Sequence, residues 1–361
     1  MRTIAIIGAG GFVGSRMVEM FHLGEFERVR PVVRKFQSLA RLSRFELDFR
    51  VADALDFHAL KIAFDGCDAV INTAVGDERV IEGIIEPVWR ACLAAKVRRL
   101  IYLSSGSVHG QTPAEGTTET TPLSSKQWNW YNNAKVRAEQ MLATFSADSP
   151  LELVVLRPTI VFGPRSRWVW DAAKSIASGR ACLVNDGRGI CNSIYVDNLV
   201  HAVKLAIDSP AAAGETFLVN DEETVTWRDF YEPLAARLGK RDIPSISPQP
   251  PPEKHFNLVE AVRAIPGIQK ALPVVPDPMK RAVKGAWEKM SEPARPSPWR
   301  LPKKAAPSLS PEMNALQQCS WRLPHTKAAE MLGYRAPVSF AEGMRRSIAW
   351  LEFARFPNLP K

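Results

Sequence analysis

No run of apolar residues in this chain approaches the roughly 20 that a membrane-crossing helix needs. Cysteine is scarce as well: Cys67, Cys92, Cys182, Cys191 and Cys319 are odd in number, scattered, and nowhere in C-x-x-C spacing. That spacing argues against a disulfide scaffold and a zinc site, so no metal is expected, and it fits a reducing, cytoplasmic compartment. The amino terminus carries one arginine and then an apolar strand, which glycines interrupt too early for a signal peptide. Internal repeats and low-complexity tracts are absent from the first two-thirds. Charge of one sign is absent there too, with 28 Lys/Arg against 28 Asp/Glu over residues 1–240.

The net charge of +9 therefore belongs to residues 241–361, which hold 19 Lys/Arg against 10 Asp/Glu. The same third holds 19 of the 28 prolines. The chain changes character near residue 240. No nucleic-acid reading motif accompanies the basic excess, and prolines break any continuous basic helix, so no nucleic-acid partner is expected. With 361 residues, 46% hydrophobic and 24% charged, the chain suits a soluble protein with a large core.

The organising stretch is Gly8-Ala-Gly-Gly11-Phe-Val-Gly14. It follows Thr3-Ile-Ala-Ile-Ile7, a β-branched apolar run that reads as a buried parallel strand. It precedes Ser15 to His22, where apolar residues recur at helical spacing. Strand, glycine turn and helix in that order form a dinucleotide site: the glycines let the backbone turn and approach a pyrophosphate, which then faces the helix N-terminus. Phe12 and Val13 supply the first N–H groups of that helix. Val29–Val33, Asp48–Ala52, Asp68–Ala74 and Arg99–Leu103 read as further strands, with a helix over Glu78–Lys96. Alternation of this kind specifies an α/β fold, a doubly wound parallel sheet of Rossmann type.

At the end of the second strand, where an acid would bind the adenosine ribose of NAD, stands Arg34, followed by Lys35. A guanidinium can pair with a 2′-phosphate in a fork, so NADP is expected and NAD less so. Strand five runs into Ser104-Ser105-Gly-Ser-Val-His-Gly110. Some twenty residues later Tyr131-Asn-Asn-Ala-Lys135 opens a helix, with Tyr131 and Lys135 on one face. A lysine ammonium beside a phenol lowers the phenol pKa, making Tyr131 a candidate general acid or base, while the Ser105 hydroxyl can hold the substrate oxygen.

These motifs together resemble the extended short-chain dehydrogenase/reductase (NAD-dependent epimerase/dehydratase) family. The resemblance rests on Gly8, Gly11 and Gly14, on Tyr102–Gly110, on Tyr131 and Lys135, on Leu156-Arg-Pro-Thr-Ile-Val-Phe-Gly-Pro164, and on Ser193-Ile-Tyr-Val-Asp-Asn-Leu-Val200. It implies Tyr131 as acid/base, Lys135 on the nicotinamide ribose, and Ser105 on the reacting oxygen. It also implies Asp53 at the adenine, Ala74 against the cofactor, Pro158 beside the nicotinamide, and a homodimer. Ser107, His109, Arg165, Trp168 and Cys191 are expected to line the substrate pocket. Sugar-active relatives carry Arg-Asp-Phe where this chain has Cys191-Asn192-Ser193, and that arginine grips the substrate diphosphate. Its loss weakens diphosphate binding unless Arg165, Arg167 or Arg188 compensates.

The expected organisation is a dinucleotide-binding domain at 1–164, mixed substrate-pocket and returning Rossmann elements at 165–240, and a basic proline-rich lid or substrate region at 241–361. Pro248–Pro252 reads as a stiff linker. Residues 280–290 read either as a lid helix or as a helix attracted to anionic lipid, giving a peripheral membrane contact. The function expected is an NADP-dependent oxidoreductase acting on a secondary alcohol or ketone of a small, lipophilic molecule. A nucleotide-sugar epimerase or dehydratase that returns the hydride to its own substrate is the alternative, and a non-catalytic NADP-binding regulator a further one.

Overall fold

A computed structural model describes residues 2–240, 242–250 and 306–357. The predicted lid or membrane helix at 280–290 lies outside them. Seven strands form one parallel sheet: β1 (Thr3–Ile7), β2 (Arg28–Val33), β3 (Arg50–Val51), β4 (Ala69–Asn72), β5 (Arg99–Leu103), β6 (Glu152–Pro158) and β10 (Thr216–Val219). Their spatial order is β10-β6-β5-β4-β1-β2-β3. The order reverses between β1 and β4, and the crevice at their carboxyl ends is where open α/β sheets bind ligands.

Alternation along each strand divides the apolar residues between two cores. Ile4 and Ile6 of β1 join one face of the sheet, with α1 (Phe12–Leu23) and α7 (Val196–Asp208). Ala5 and Ile7 join the other, with α2 (Phe57–Ala63), α4 (Ile85–Ala94) and α5 (Trp130–Ser146). The single helix expected over Glu78–Lys96 is two, α3 (Glu78–Gly83) and α4, meeting at Ile84. Pro87 has no N–H to return to the preceding turn, which forces the break. The third strand is shorter than its sequence pattern, only Arg50 and Val51 pairing with Val32 and Val33.

A second lobe follows Pro158. It contains β7 (Ile160–Phe162) paired with β9 (Ser193–Tyr195), and β8 (Leu183–Val184) paired with β11 (Ser245–Ile246). Packed with them are α6 (Arg167–Ala177), α8 (Trp227–Arg237) and α11 (Phe340–Phe353). Its core is aromatic, built on Phe162, Trp227, Phe230 and Tyr231.

The described residues of the last third pack on both parts of the fold. Among its described residues, α9 (Pro311–Leu316) reaches the second lobe, where Trp227 Nε1 donates to the Leu316 carbonyl at 2.9 Å. Helix α10 (Thr326–Leu332) instead delivers Ala328 and Leu332, and the residue after its glycine cap, Tyr334, to the core of the main sheet. Residues 248–250, read as the start of a linker, are tied down: Asn314 exchanges two hydrogen bonds with the Gln249 backbone, at 2.8 and 3.1 Å.

Candidate active site

The glycine turn leaves β1 at the reversal point of the sheet. Gly8 has φ +79, a left-handed conformation that disfavours any side chain, and a β-carbon at Gly14 would overlap the Gly8 carbonyl. Gly11 caps α1 without a side-chain hydrogen bond, and the first turn carries no acid. Helix geometry leaves the N–H groups of Phe12 and Val13 without intrahelical partners, so they face the crevice as anion donors. Ala74 packs on Gly8 from β4, its N–H held by Asn72 Oδ1 at 3.1 Å. This cradle fits a dinucleotide.

Arg34 is exposed immediately beyond β2. Asp53 follows β3 at the same edge, exposed, its Oδ1 accepting from the Leu55 N–H at 3.0 Å. Arg165, expected at the substrate, lies instead among other cations: Arg41, Arg44 and Arg16 together hold its pKa below the usual arginine value, after the larger effect of burial. Arg16 and Arg44 belong to the glycine-turn side, both ion-paired with Glu19 of α1. A chain turn at Gly163-Pro164, with Arg165 itself at φ +73, carries that side chain back toward the cofactor cradle.

Tyr131 and Lys135 are set by the start of α5. Asn129 caps the helix, its Oδ1 accepting from the Tyr131 N–H at 2.9 Å. Tyr131 is partly buried, and desolvation pushes its phenol up to about 12; Ser105 lowers it by hydrogen bonding and Glu312 raises it. The expected depression by Lys135 is not found. The Lys135 ammonium is buried, donating to the Leu103 carbonyl at 2.7 Å and to Tyr102 Oη at 3.2 Å. Its own pKa falls to about 7 through desolvation, which Glu139 partly opposes. Ser105 and Ser107 share a hydrogen bond of 2.9 Å at the end of β5. Pro158 closes β6, its carbonyl beside Gly106. Ser105, Ser107, Tyr131, Lys135 and Pro158 thus lie at one edge of the sheet.

The other expected pocket residues are placed differently. The His109 ring nitrogen Nε2 lies 3.2 Å from Arg157, whose charge, after burial, holds its pKa down to about 4. That imidazole is neutral and partnered with a buried strand residue. Cys191 is 2% exposed within the aromatic core of the second lobe, so its thiol packs there instead of lining a pocket. Trp168 packs at the margin of the same core.

Asn192, next to Cys191 and in the place of the aspartate of that Arg-Asp-Phe, holds down the segment 321–323. Its Nδ2 donates to the Trp321 carbonyl at 3.0 Å, and its Oδ1 accepts from the Leu323 N–H at 2.8 Å. Leu323 then packs on Gly106, beside Ser105. Sequence reasoning did not find Asn129, Glu312, Arg41 or Arg44. Asn129 had a signal, a capping residue type just before the helix; Glu312 had none.

Comparison with known proteins places this geometry. The chain is 25% identical over 94% of its length, and 84% of the other, to the 2-alkyl-3-oxoalkanoate reductase of Shewanella oneidensis. It is 27% identical over 67% of its length to the N-acetyl-alpha-D-glucosaminyl-diphospho-ditrans,octacis-undecaprenol 4-epimerase of Escherichia coli O157:H7, covering 74% of that protein. The dTDP-glucose 4,6-dehydratase DesIV of Streptomyces venezuelae, solved with NAD bound, shares the fold at a TM-score of 0.69 and 17% identity, over 99% of this chain and 100% of that one. The sheet and the cradle are those of an NAD(P)-dependent enzyme. Residues 5–247 match the 3-beta hydroxysteroid dehydrogenase/isomerase family, and the chain belongs to that family, within the extended short-chain dehydrogenase/reductases.

Proposed function

We propose that this protein is an NADP-dependent reductase of a ketone on a small, largely apolar molecule. The observation that carries the reading is Tyr131, a phenol held protonated at neutral pH beside Ser105, at the edge of the cofactor cradle. Ser105 holds the carbonyl oxygen of the substrate, and Tyr131 gives it a proton as the oxygen acquires negative charge. The nicotinamide, when bound, supplies the hydride that reaches the carbonyl carbon. Each turnover converts ketone, NADPH and one proton to alcohol and NADP, and the Tyr131 phenolate recovers its proton from solvent. In this reading Lys135, whose ammonium donates to the Leu103 carbonyl and to Tyr102 Oη, binds the nicotinamide ribose.

Arginines around the turn support NADP over NAD. Arg34 ends β2, and Arg41, Arg44 and Arg165 add cations on the same side, where a 2′-phosphate makes charge-assisted hydrogen bonds. Likeness to the Escherichia coli epimerase supports a second reading, a nucleotide-sugar epimerase or dehydratase with internal hydride return. Cys191 weighs against it, because it stands where sugar-active relatives carry the diphosphate-gripping arginine and its thiol is buried in the aromatic core of the second lobe.

The test is nicotinamide absorbance with NADPH against two ketone panels, one of nucleotide 4-keto sugars and one of steroid, flavonoid and acyl ketones. Consumption with the second panel alone is expected. Consumption with keto sugars alone overturns the proposal in favour of the epimerase or dehydratase reading.

A further inference from the structure

The cap of α5 has a second arm. Asn129 Oδ1 receives the Tyr131 N–H, while Asn129 Nδ2 donates to Glu312 Oε1 at 3.3 Å. One amide thus joins the helix that carries the candidate acid to a carboxylate 183 residues further along the chain. Glu312 is exposed on the first turn of α9. Its position is not incidental, because the segment it begins is fastened to the second lobe at several points. Gln317 Oε1 accepts from the Val184 N–H at 2.7 Å, the Ile190 N–H donates to the Cys319 carbonyl at 2.7 Å, and Gly189 packs so closely on Gln317 that a β-carbon would overlap its carbonyl. Further on, Trp321 Nε1 donates to the Thr117 carbonyl at 3.2 Å on the main-sheet side. The segment 312–323 therefore runs as a strap from Asn129 and Tyr131 to Gly106 and Ser105, with the second lobe behind it.

Around the Glu312 end of this strap the remaining surface is aromatic. Trp130 meets the Tyr131 ring edge-on at 6.0 Å and is 47% exposed; Trp128 is 37% exposed. Among the described residues, a ligand approaching Tyr131 from that side meets the indoles of Trp128 and Trp130 and the Glu312 carboxylate. The same charge already acts on the phenol, raising its pKa.

We propose that Glu312 is a specificity-determining residue, which excludes substrates carrying an anionic group near the reacting carbonyl and admits neutral or cationic ones. Its carboxylate repels a carboxylate or phosphate of the ligand at short range, and it offers an acceptor to a hydroxyl or ammonium. The inference rests on the reading of Tyr131 as the acid, and it narrows the substrate class from ketones in general to uncharged or cationic ketones.

The probes are 4-acetylbenzoate and its methyl ester, aryl ketones that differ by one charge. Equilibrium dialysis with the NADP-loaded protein gives their dissociation constants, and NADPH consumption gives kcat/KM. The wild-type protein is expected to bind the ester about tenfold more tightly than the acid, the effect of one like charge at partial exposure. Glu312→Gln brings the two together and Glu312→Lys inverts the order, with kcat/KM following. An acid-to-ester ratio that is the same in all three proteins overturns the inference, as does failure of both probes to bind. Tyr131→Phe run alongside separates the two claims. Retained turnover in that variant sinks the acid assignment, whereas the binding ratio reports on Glu312 whether or not either probe is reduced.

Discussion

Arg157 and Glu139 face each other inside the protein, the guanidinium reaching the carboxylate through Nε and Nη2 with a closest approach of 2.7 Å. Both side chains are less than a tenth exposed. Glu139 also accepts from Ser104, and Arg157 spends Nη1 on the Glu119 carbonyl and on His109. The pair joins β6 to α5, directly under Lys135, and so fixes the helix that carries Tyr131 to the sheet that carries Ser105.

Removing one member leaves the other charged and unsolvated. Glu139→Leu and Arg157→Met are each expected to cost about 3–5 kcal/mol, while the double variant costs less than either single change. Denaturant unfolding of the four proteins checks this. Additive losses would show that the two residues act independently.

Tyr131→Phe keeps the ring packed against Trp130 and removes only the hydroxyl. Turnover is expected to fall by roughly 10²–10⁴, the usual worth of a positioned proton donor, with the dissociation constant for NADPH almost unchanged. A variant that keeps its kcat would show that the proton comes from elsewhere.

Arg34→Ala and Arg41→Ala each remove a cation from the side of the glycine turn proposed to bind the adenosine 2′-phosphate. The expected result is a loss of affinity for NADPH of about tenfold each, with NADH binding little altered. Fluorescence titration of the bound dinucleotides reads the ratio. Equal weakening toward both cofactors would place those arginines on the pyrophosphate.

Two buried groups give stability opposite slopes on either side of neutrality. Asp221 accepts from the Tyr195 N–H at 2.9 Å and from Asn198 at 2.7 Å, yet burial dominates and lifts its carboxyl to about 7 from 3.8. The folded state then holds a proton that the unfolded chain has lost, so stability falls as pH rises from about 4 to 7. Lys135 is lowered to about 7 from 10.5, so the folded state sheds a proton the unfolded chain keeps, and stability rises from about 7 to 10.5. Thermal melts across pH are expected to lose the first slope in Asp221→Asn and the second in Lys135→Met. Unchanged slopes would mean that both groups ionise in the native state as they do in the unfolded one.

Much of the sheet and half of the site were legible in the residues. β-branched runs, glycine spacing and the Tyr131–Lys135 face are local signals, and a strand or a helix turn is decided locally. What escaped were relations between distant parts of the chain. Nothing in the sequence around Cys191 says that its thiol turns into an aromatic core, and nothing around His109 says that its ring meets Arg157 across 48 residues. Lys135 is instructive: the spacing put it on the Tyr131 face correctly, but its charge is engaged by Leu103 and Tyr102, which only the packing of α5 on β5 decides. The Arg165 turn depended on a left-handed backbone at a residue that is not glycine, which no spacing rule anticipates.

Helix α10 has a consequence for how the protein comes into being. Ala328, Leu332 and Tyr334 complete the apolar face formed by β1, α1 and α7, elements made more than a hundred residues earlier. During synthesis the first sheet therefore emerges with part of that face open to water and remains so until residue 334 has left the ribosome. Such a chain cannot finish its amino-terminal half first and append the rest. A shortened transcript ending before residue 326 would encode every residue proposed here for the chemistry and still expose an uncovered, aggregation-prone flank.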